Sequence, residues 1–195
     1  MGQRMSMPDL HGTYQIVMLG LDNAGKSTSL YRLKLDRFVQ PAPTVGFNCE
    51  KFKPSSGAAK GQTFTIWDVG GQEKLRPLWR SYIRQTDAIV FVVDSTDAER
   101  FEEAKLELHN LLRLADIPAF VPVLLLANKQ DLPTAVAQDE IEQVVGVKDL
   151  GPNHTTRTLC CCAVTGEGLD DVLDALHELI QTSRKLDKGK KRQLR

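Results

Sequence analysis

A short stretch near the start of the chain has the residue types and spacing to hold a polyphosphate. Gly20-Leu21-Asp22-Asn23-Ala24-Gly25-Lys26-Ser27 fits the pattern G-x-x-x-x-G-K-[ST]. The glycines let the backbone curl until its N–H groups point inward, and the start of the following helix adds a partial positive charge. Gly20 to Thr28 are therefore the expected phosphate contacts, with Lys26 reaching the β- and γ-phosphates and the Ser27 hydroxyl placed to ligate Mg²⁺. A match by chance is the competing reading. It loses weight because an apolar run, Tyr14 to Leu19, precedes the loop and a helical pattern, Lys26 to Phe38, follows it.

A second set lies far along the chain. Asn128-Lys129-Gln130-Asp131 follows the apolar run Val121 to Ala127. In a protein that already binds a polyphosphate, this spacing reads guanine. A carboxylate at Asp131 accepts from guanine N1–H and the N2 amino group, whereas adenine would leave it buried and unpaired. Asn128 is suited to brace the loop and contact N7, and the Lys129 stem to lie over the base. By itself the tetrad is weak, and a solvated turn before Pro133 is the plain alternative. Cys162-Ala163-Val164 follows another apolar run, and its backbone amides are candidates for guanine O6.

Two further loops have residues suited to sensing a third phosphate. Thr44, in Pro43-Thr44-Val45-Gly46-Phe47-Asn48, is placed to ligate Mg²⁺ beside Ser27 when that phosphate is present. In Trp67-Asp68-Val69-Gly70-Gly71-Gln72-Glu73, Asp68 can hold Mg²⁺ through water, the Gly71 N–H can donate to a γ-phosphate oxygen, and Gln72 can orient the attacking water. All of these depend on one phosphoryl group, so its loss frees both loops, which is the logic of a switch. Taken singly, Thr44 reads as a turn residue and Gln72 as a surface amide.

These loops need a scaffold that brings them to one edge. Six runs read as strands: Tyr14 to Leu19, Asn48 to Lys53, Gln62 to Trp67, Ala88 to Val93, Val121 to Ala127 and Thr158 to Ala163. A Gly-rich turn at Ser55-Ser56-Gly57 joins the second and third. Thr96-Asp97-Ala98-Glu99 fits a capping box opening a helix to about Asp116. Leu169, Val172, Leu173, Leu176, Leu179 and Ile180 form one face of a last helix. The expectation is an α/β fold of three layers, a six-stranded, mostly parallel sheet with helices on both faces and the ligand at the carboxyl ends of the strands.

The 195 residues suit a single domain, expected over residues 14–183. No apolar run reaches the length of a membrane span, and no secretory signal opens the chain. Net charge is zero, yet Arg184 to Arg195 holds seven Lys/Arg against one acid, leaving an acidic body. That composition argues against a nucleic-acid-binding domain and leaves the basic tail free to meet an anionic surface. Cys49 and the consecutive Cys160, Cys161 and Cys162 have neither disulfide nor metal-ligand spacing; they read as buried small side chains in a reducing, cytosol-facing compartment.

Together these residues resemble the Arf (ADP-ribosylation factor) family of small GTPases. G-L-D-N-A-G-K-S, P-T-V-G-F-N, W-D-V-G-G-Q-E-K-L-R-P-L-W, N-K-Q-D-L-P and C-A-V-T-G-E-G carry the likeness, over roughly Gln15 to Leu179. The long segment between the two phosphate-sensing loops and the basic tail look most like the fourth Arf-like subgroup. The resemblance implies the P-loop GTPase fold and a GTP/GDP cycle with Mg²⁺, run by an exchange factor and an activating protein. It further implies effectors at the switch regions, among them cytohesin-type Arf exchange factors, in signal transduction, vesicle trafficking and cortical actin regulation at the cytoplasmic face of the plasma membrane. In the family the hairpin between the switches shifts register on GTP binding and ejects the N-terminal helix; the extra residues from about Pro54 to Gly61 set this chain apart. Heterotrimeric G proteins place an arginine where this chain has Pro41. Without it, and with the Asp22 charge near the γ-phosphate, hydrolysis is expected to be slow until an activating protein supplies an arginine. A GTP-dependent membrane scaffold without significant turnover is the alternative. A metabolic kinase is disfavoured by Asp131 and by the lack of an acceptor domain.

The two ends read as membrane signals. Met1-Gly2-Gln3-Arg4-Met5-Ser6 fits the N-myristoylation pattern at Gly2, within an N-terminal segment of residues 1–13. One myristoyl chain binds only marginally, at about 10⁴ M⁻¹, so a second signal is needed. The basic tail of residues 184–195 could supply it, and Lys188-Gly189-Lys190-Lys191-Arg192 could equally be read by importin for nuclear entry.

Overall fold

Alternation along the first strand decides the layering. In β1 (Thr13–Leu19), Ile16 and Met18 enter the core on one face while Val17 and Leu19 enter the core on the other. A strand buried on both sides needs helices on both sides. The computed structural model, which describes residues 12–114 and 117–193, supplies them. The other strands are β2 (Phe47–Phe52), β3 (Thr63–Val69), β4 (Ala88–Asp94), β5 (Val123–Asn128) and β6 (Thr156–Cys160). They form one sheet in the order β2-β3-β1-β4-β5-β6, parallel throughout except for the β2–β3 pair. Helices α1 (Lys26–Leu35) and α5 (Val172–Gln193) pack on one face. The other face is covered by α2 (Trp79–Ile83), α3 (Phe101–Leu112) and α4 (Gln138–Val145). The strand order reverses at β1, so the crevice at its carboxyl end is where such sheets take ligands.

Several elements differ from the sequence expectation for local reasons. Helix α1 stops at Leu35, not Phe38, because Asp36 turns left-handed (φ 50°) and its N–H closes on Arg32 O at 2.9 Å. The capping box does not form: Thr96 gives its N–H (3.0 Å) and hydroxyl (2.7 Å) to Asp94 Oδ1. The chain then passes through a 3₁₀ turn, Ala98–Arg100, before α3 begins, and α3 ends short of Asp116, which lies outside the described residues. Strand β5 starts only after Pro122, which has no N–H for the ladder. Strand β6 ends at Cys160, which releases residues 161–163 into a loop.

The β2–β3 connection is a packed loop over residues 53–62 rather than a tight turn. Ala59 is fully buried, and its N–H donates to Asp174 Oδ1 on α5 at 2.7 Å. The four cysteines are free, but only Cys161 and Cys162 are buried; Cys160 is half-buried and Cys49 is exposed on the edge strand. The basic tail continues α5 as helix through Gln193, with most of its residues exposed. Arg184 pairs with Asp87 at 2.8 Å, and Lys190 reaches Asn153 Oδ1 at 2.6 Å while its ammonium sits 5.0 Å from the Phe120 ring centre. Gly2 and the rest of the lipidation pattern lie outside the described residues.

Candidate nucleotide site

A cavity of about 570 Å³ opens at the carboxyl ends of the strands. Its walls include Asp22, Asn23, Gly25, Lys26, Ser27, Thr28, Thr44, Gly71, Gln72, Asn128, Lys129, Asp131, Cys162, Ala163 and Val164. Four expected residues stand behind the wall: Gly20, Leu21, Ala24 and Asp68 are buried. The Leu21 and Ala24 side chains belong to the cores on opposite faces of the sheet, which leaves only their backbones for a ligand.

At the phosphate end, Gly25 takes a left-handed conformation (φ 93°) just before α1, where a Cβ would lie 2.1 Å from Asn128 Nδ2. Lys26 is buried, and its ammonium donates to Leu21 O at 2.8 Å. Burial lowers its pKa from 10.5 to about 8, against the pull of Asp68 and Asp22. An ammonium so desolvated gains strongly from a polyphosphate beside it. Gly71 meets the loop after β1 backbone to backbone: a Cβ there would lie 2.4 Å from Gly20 O and 2.6 Å from Asp22 N. Any side chain at 71 would pry the two loops apart.

Ser27, Thr44 and Asp68 converge although they come from three separate segments. Ser27 Oγ donates to Asp68 Oδ2 at 2.5 Å and lies 2.7 Å from Thr44 Oγ1. Asn48, opposite Asp68 in the β2–β3 register, donates to the same Oδ2 at 2.9 Å. Asp68 Oδ1 is buried with no hydrogen-bond partner. A buried carboxylate oxygen left this way is costly, and a hydrated cation would relieve it. Two hydroxyls and a carboxylate form an oxygen-only donor set suited to Mg²⁺. Among the described residues no cluster of three or more His, Cys, Asp or Glu could hold a metal, so the fit is to an ion shared with phosphate oxygens.

Sequence reasoning missed the ion-pair network behind this corner. Arg76 is buried; its Nε donates to Gly71 O at 3.0 Å, and its guanidinium pairs with Glu103 at 2.7 Å and Glu107 at 2.9 Å. Arg100 bridges Glu103 (2.7 Å) and Asp22 (2.8 Å). Those bonds, Arg100's first, lower Glu103 to about 2, and the Arg100 bond also lowers Asp22. Asp22 is exposed at the cavity wall and keeps its charge, with its carboxylate paired to Arg100 at 2.8 Å. The only sequence signal was the i, i+3 and i, i+4 spacing of Arg100, Glu103 and Glu107.

At the base end, Asn128 joins three segments. Its Nδ2 donates to Ala24 O at 2.9 Å, and its Oδ1 accepts the Ala163 N–H at 2.9 Å. The Cys162 N–H donates to Glu167 O at 2.9 Å, so two of the three amides expected at guanine O6 already have acceptors that a base must share or displace. Arg32 of α1 donates to Thr165 O and steadies that loop. Asp131 is exposed at the cavity rim.

Outside the cavity, Phe47 of β2, Trp67 of β3 and Tyr82 of α2 pack ring against ring, with centroids 5.3 to 6.2 Å apart. Phe47 is 48% exposed, and Val45 and Leu78 are exposed too. Phe47 and Trp67 lie at the two ends of the segment between the phosphate-sensing loops, and Tyr82 lies on α2 beyond the second loop. The three are far apart in sequence, and the β2–β3 pairing together with the packing of α2 assembles them.

The ADP-ribosylation factor family model matches residues 4–180. The chain is 50% identical to human ADP-ribosylation factor-like protein 4C over 192 residues, 98% of this chain and 100% of that protein. It is 52% identical to human ADP-ribosylation factor-like protein 4D over 177 residues (91% and 88%) and 49% identical to the mouse 4A protein over 187 residues (96% and 92%). Among solved structures, the Arl6 BBS3 small GTPase of Trypanosoma brucei, with bound nucleotide analogue GppNp, superposes with a TM-score of 0.75 at 32% identity, covering 88% of this chain and 99% of that one. The chain belongs to the ADP-ribosylation factor family and is a small GTPase, a regulatory protein that binds GTP and hydrolyses it.

Proposed function

We propose that the chain is a membrane-tethered switch in which one phosphoryl group holds Thr44 and Gly71 in place. The observation that carries this reading is the convergence of the Ser27 and Thr44 hydroxyls on Asp68 Oδ2, beside a buried Oδ1 that has no hydrogen-bond partner. In this reading Ser27 and Thr44 ligate Mg²⁺ and Asp68 holds it through water. The ion, when bound, would neutralise charge developing on the phosphate oxygens. Lys26 contacts the β- and γ-phosphates, and the Gly71 N–H donates to a γ-oxygen. Gln72, at the cavity wall, orients the attacking water. Asn128, Lys129 and Asp131 read guanine.

Turnover is slow because among the described residues no arginine lines the cavity, and Arg76 and Arg100 are tied to carboxylates. An activating protein supplies the missing guanidinium, which is worth about 10³–10⁵ in rate. Single-turnover hydrolysis by the purified chain measures this directly. Rapid hydrolysis without a partner contradicts it, and a rate that no arginine-bearing activator raises favours a scaffold.

The aromatic cluster of Phe47, Trp67 and Tyr82 is the effector surface, because Phe47 and Trp67 lie on the segment joining the two loops that the γ-phosphate holds and Tyr82 of α2 packs on both rings. The resemblance of the sequence to the fourth Arf-like subgroup points to cytohesin-type exchange factors as effectors, acting in trafficking and cortical actin control at the plasma membrane. Among the described residues no helix is long and apolar enough to cross a membrane. Attachment instead combines myristate on Gly2 with the basic end of α5, where Lys185, Lys188 and Arg192 follow at i, i+3 and i+7 on one helical face. Each such charge adds about 1 kcal/mol at an anionic leaflet. Importin is a second reader of the same segment. Binding of the myristoylated chain to phosphatidylserine vesicles tests the anchor. Gly2→Ala and the triple exchange of those three cations for Gln are each expected to release it; retention by both variants refutes the two-signal anchor.

A further inference from the structure

A tripeptide that lines no part of the cavity holds the base-reading loop from behind. Strand β4 ends at Asp94, which pairs in register with Asn128 of β5. Asp94 Oδ2 accepts from the Lys129 ammonium at 2.5 Å, while Oδ1 is occupied by Thr96. Ser95 is fully buried: its N–H donates to Asn128 O at 2.9 Å, its hydroxyl accepts from Gln130 Nε2 at 2.8 Å, and its carbonyl accepts from Val136 N–H at 2.8 Å. Asn128, Lys129 and Gln130 are thus each bonded to Asp94 or Ser95, yet neither of these two residues touches the cavity.

Two features say that this bracket sets the loop's shape. Lys129 adopts a left-handed backbone conformation (φ 69°), which a residue with a Cβ keeps only where its surroundings hold it. Its side chain is 25% exposed and that of Asp94 12%, so the ion pair is screened less than a surface pair and constrains the lysine more.

We infer that Asp94, supported by Ser95, is a positioning residue for nucleobase recognition, fixing the Lys129 ammonium so that its stem lies across the base and Asp131 stays aligned with it. The inference rests on the reading that Asn128, Lys129 and Asp131 receive guanine. Asp94 acts at the base end, away from the phosphates, so its loss speeds release of di- and triphosphate equally.

The test is the dissociation rate of fluorescent GDP and non-hydrolysable GTP analogues from the full chain. Asp94→Asn keeps the shape and an acceptor for Thr96 but removes the charge. It is expected to speed release about tenfold, the loss of one charge-assisted bond, to the same extent for both nucleotides. Added to Lys129→Ala, it is expected to do nothing more, because the partner is already gone. A wild-type rate in Asp94→Asn, or effects that multiply in the double variant, overturns the inference; the second result is what a merely structural aspartate would give. If Asp94→Asn does not fold, Lys129→Met carries the same test: it keeps the stem, loses the ammonium, and is expected to release nucleotide about tenfold faster. An unchanged rate there overturns the inference as well. Asp131→Asn separates the two levels. If it leaves guanine selectivity intact, the base-pocket reading fails and takes the inference with it. If it abolishes selectivity while Asp94→Asn changes nothing, only the bracket fails.

Discussion

At one end of the cavity, the loops that receive the base are cross-braced: Asn128 bonds to Ala24 and Ala163, and behind the wall Gln130 bonds to Ser95 and Arg32 of α1 to Thr165. At the other end, Thr44 and Gln72 come from loops. Thr44 is held by its hydroxyl near Ser27, the next residue Val45 is 91% exposed, and Gln72 is exposed. A preformed base pocket costs little to fill and gives the same affinity whatever the phosphate count. Loops that need a ligand to hold them gain order only when that ligand is present, so they can report on it. The same cavity thus combines a fixed grip with a conditional one, which is what a two-state nucleotide cycle needs.

The largest expected effect attacks the fixed end. Asp131→Asn should lower GTP affinity by about 10⁴-fold and shift preference to xanthosine triphosphate, because the amide can then donate where guanine also donates. Competition binding with both nucleotides checks it, and the loss should be equal for di- and triphosphates. The next effect belongs to the conditional end. Lys26 sits at about 8 without ligand because it is buried, and a polyphosphate beside it must raise that value. Between the two values binding takes up a proton, so nucleotide affinity should fall as pH rises above about 8, by up to tenfold per pH unit. Below about 8 the lysine is already charged and that slope vanishes. Guanosine, with no phosphate, should show no such slope in calorimetry.

Thr44→Ala sharpens the comparison further. It should weaken the triphosphate complex about tenfold, the worth of one bond to a charged group, and leave the diphosphate complex unchanged. Asp174→Ala is the smallest and falls on neither end. It leaves the buried Ala59 N–H without its acceptor, at a cost of about 1–3 kcal/mol. Thermal unfolding should show that loss with nucleotide affinity intact.

The legible parts of the site were those written as contiguous motifs. Gly20 to Thr28 and Asn128 to Asp131 follow strands directly, so local order in sequence becomes local order in space. The sheet could be read because its strands are near-continuous apolar runs, buried on both faces. What could not be read depends on pairings between distant segments. Asn48 reaches Asp68 only through the antiparallel register, and Arg76 meets Glu103 and Glu107 only because α3 packs behind the loop that follows β3. Helix α4 and the short helical run Glu73–Ile83 also lay beyond the periodic signals, the second interrupted by Pro77. The capping-box pattern failed at Thr96 because Asp94, two residues earlier, offers its hydroxyl and amide a carboxylate. The helical course of the basic tail escaped notice because Lys-rich sequence carries no apolar stripe; single contacts of Arg184 and Lys190 with the body lie along it.

Hydrogen–deuterium exchange on the full chain, loaded in turn with GDP and with a non-hydrolysable GTP analogue, tests the contrast between the two ends most directly. Amides of residues 40–48 and 70–79 should be slower with the triphosphate, while those of 128–131 and 160–166 should exchange alike in both states. Equal exchange at Thr44 and Gly71 in the two complexes, or a difference confined to the base-reading loops, would contradict the account.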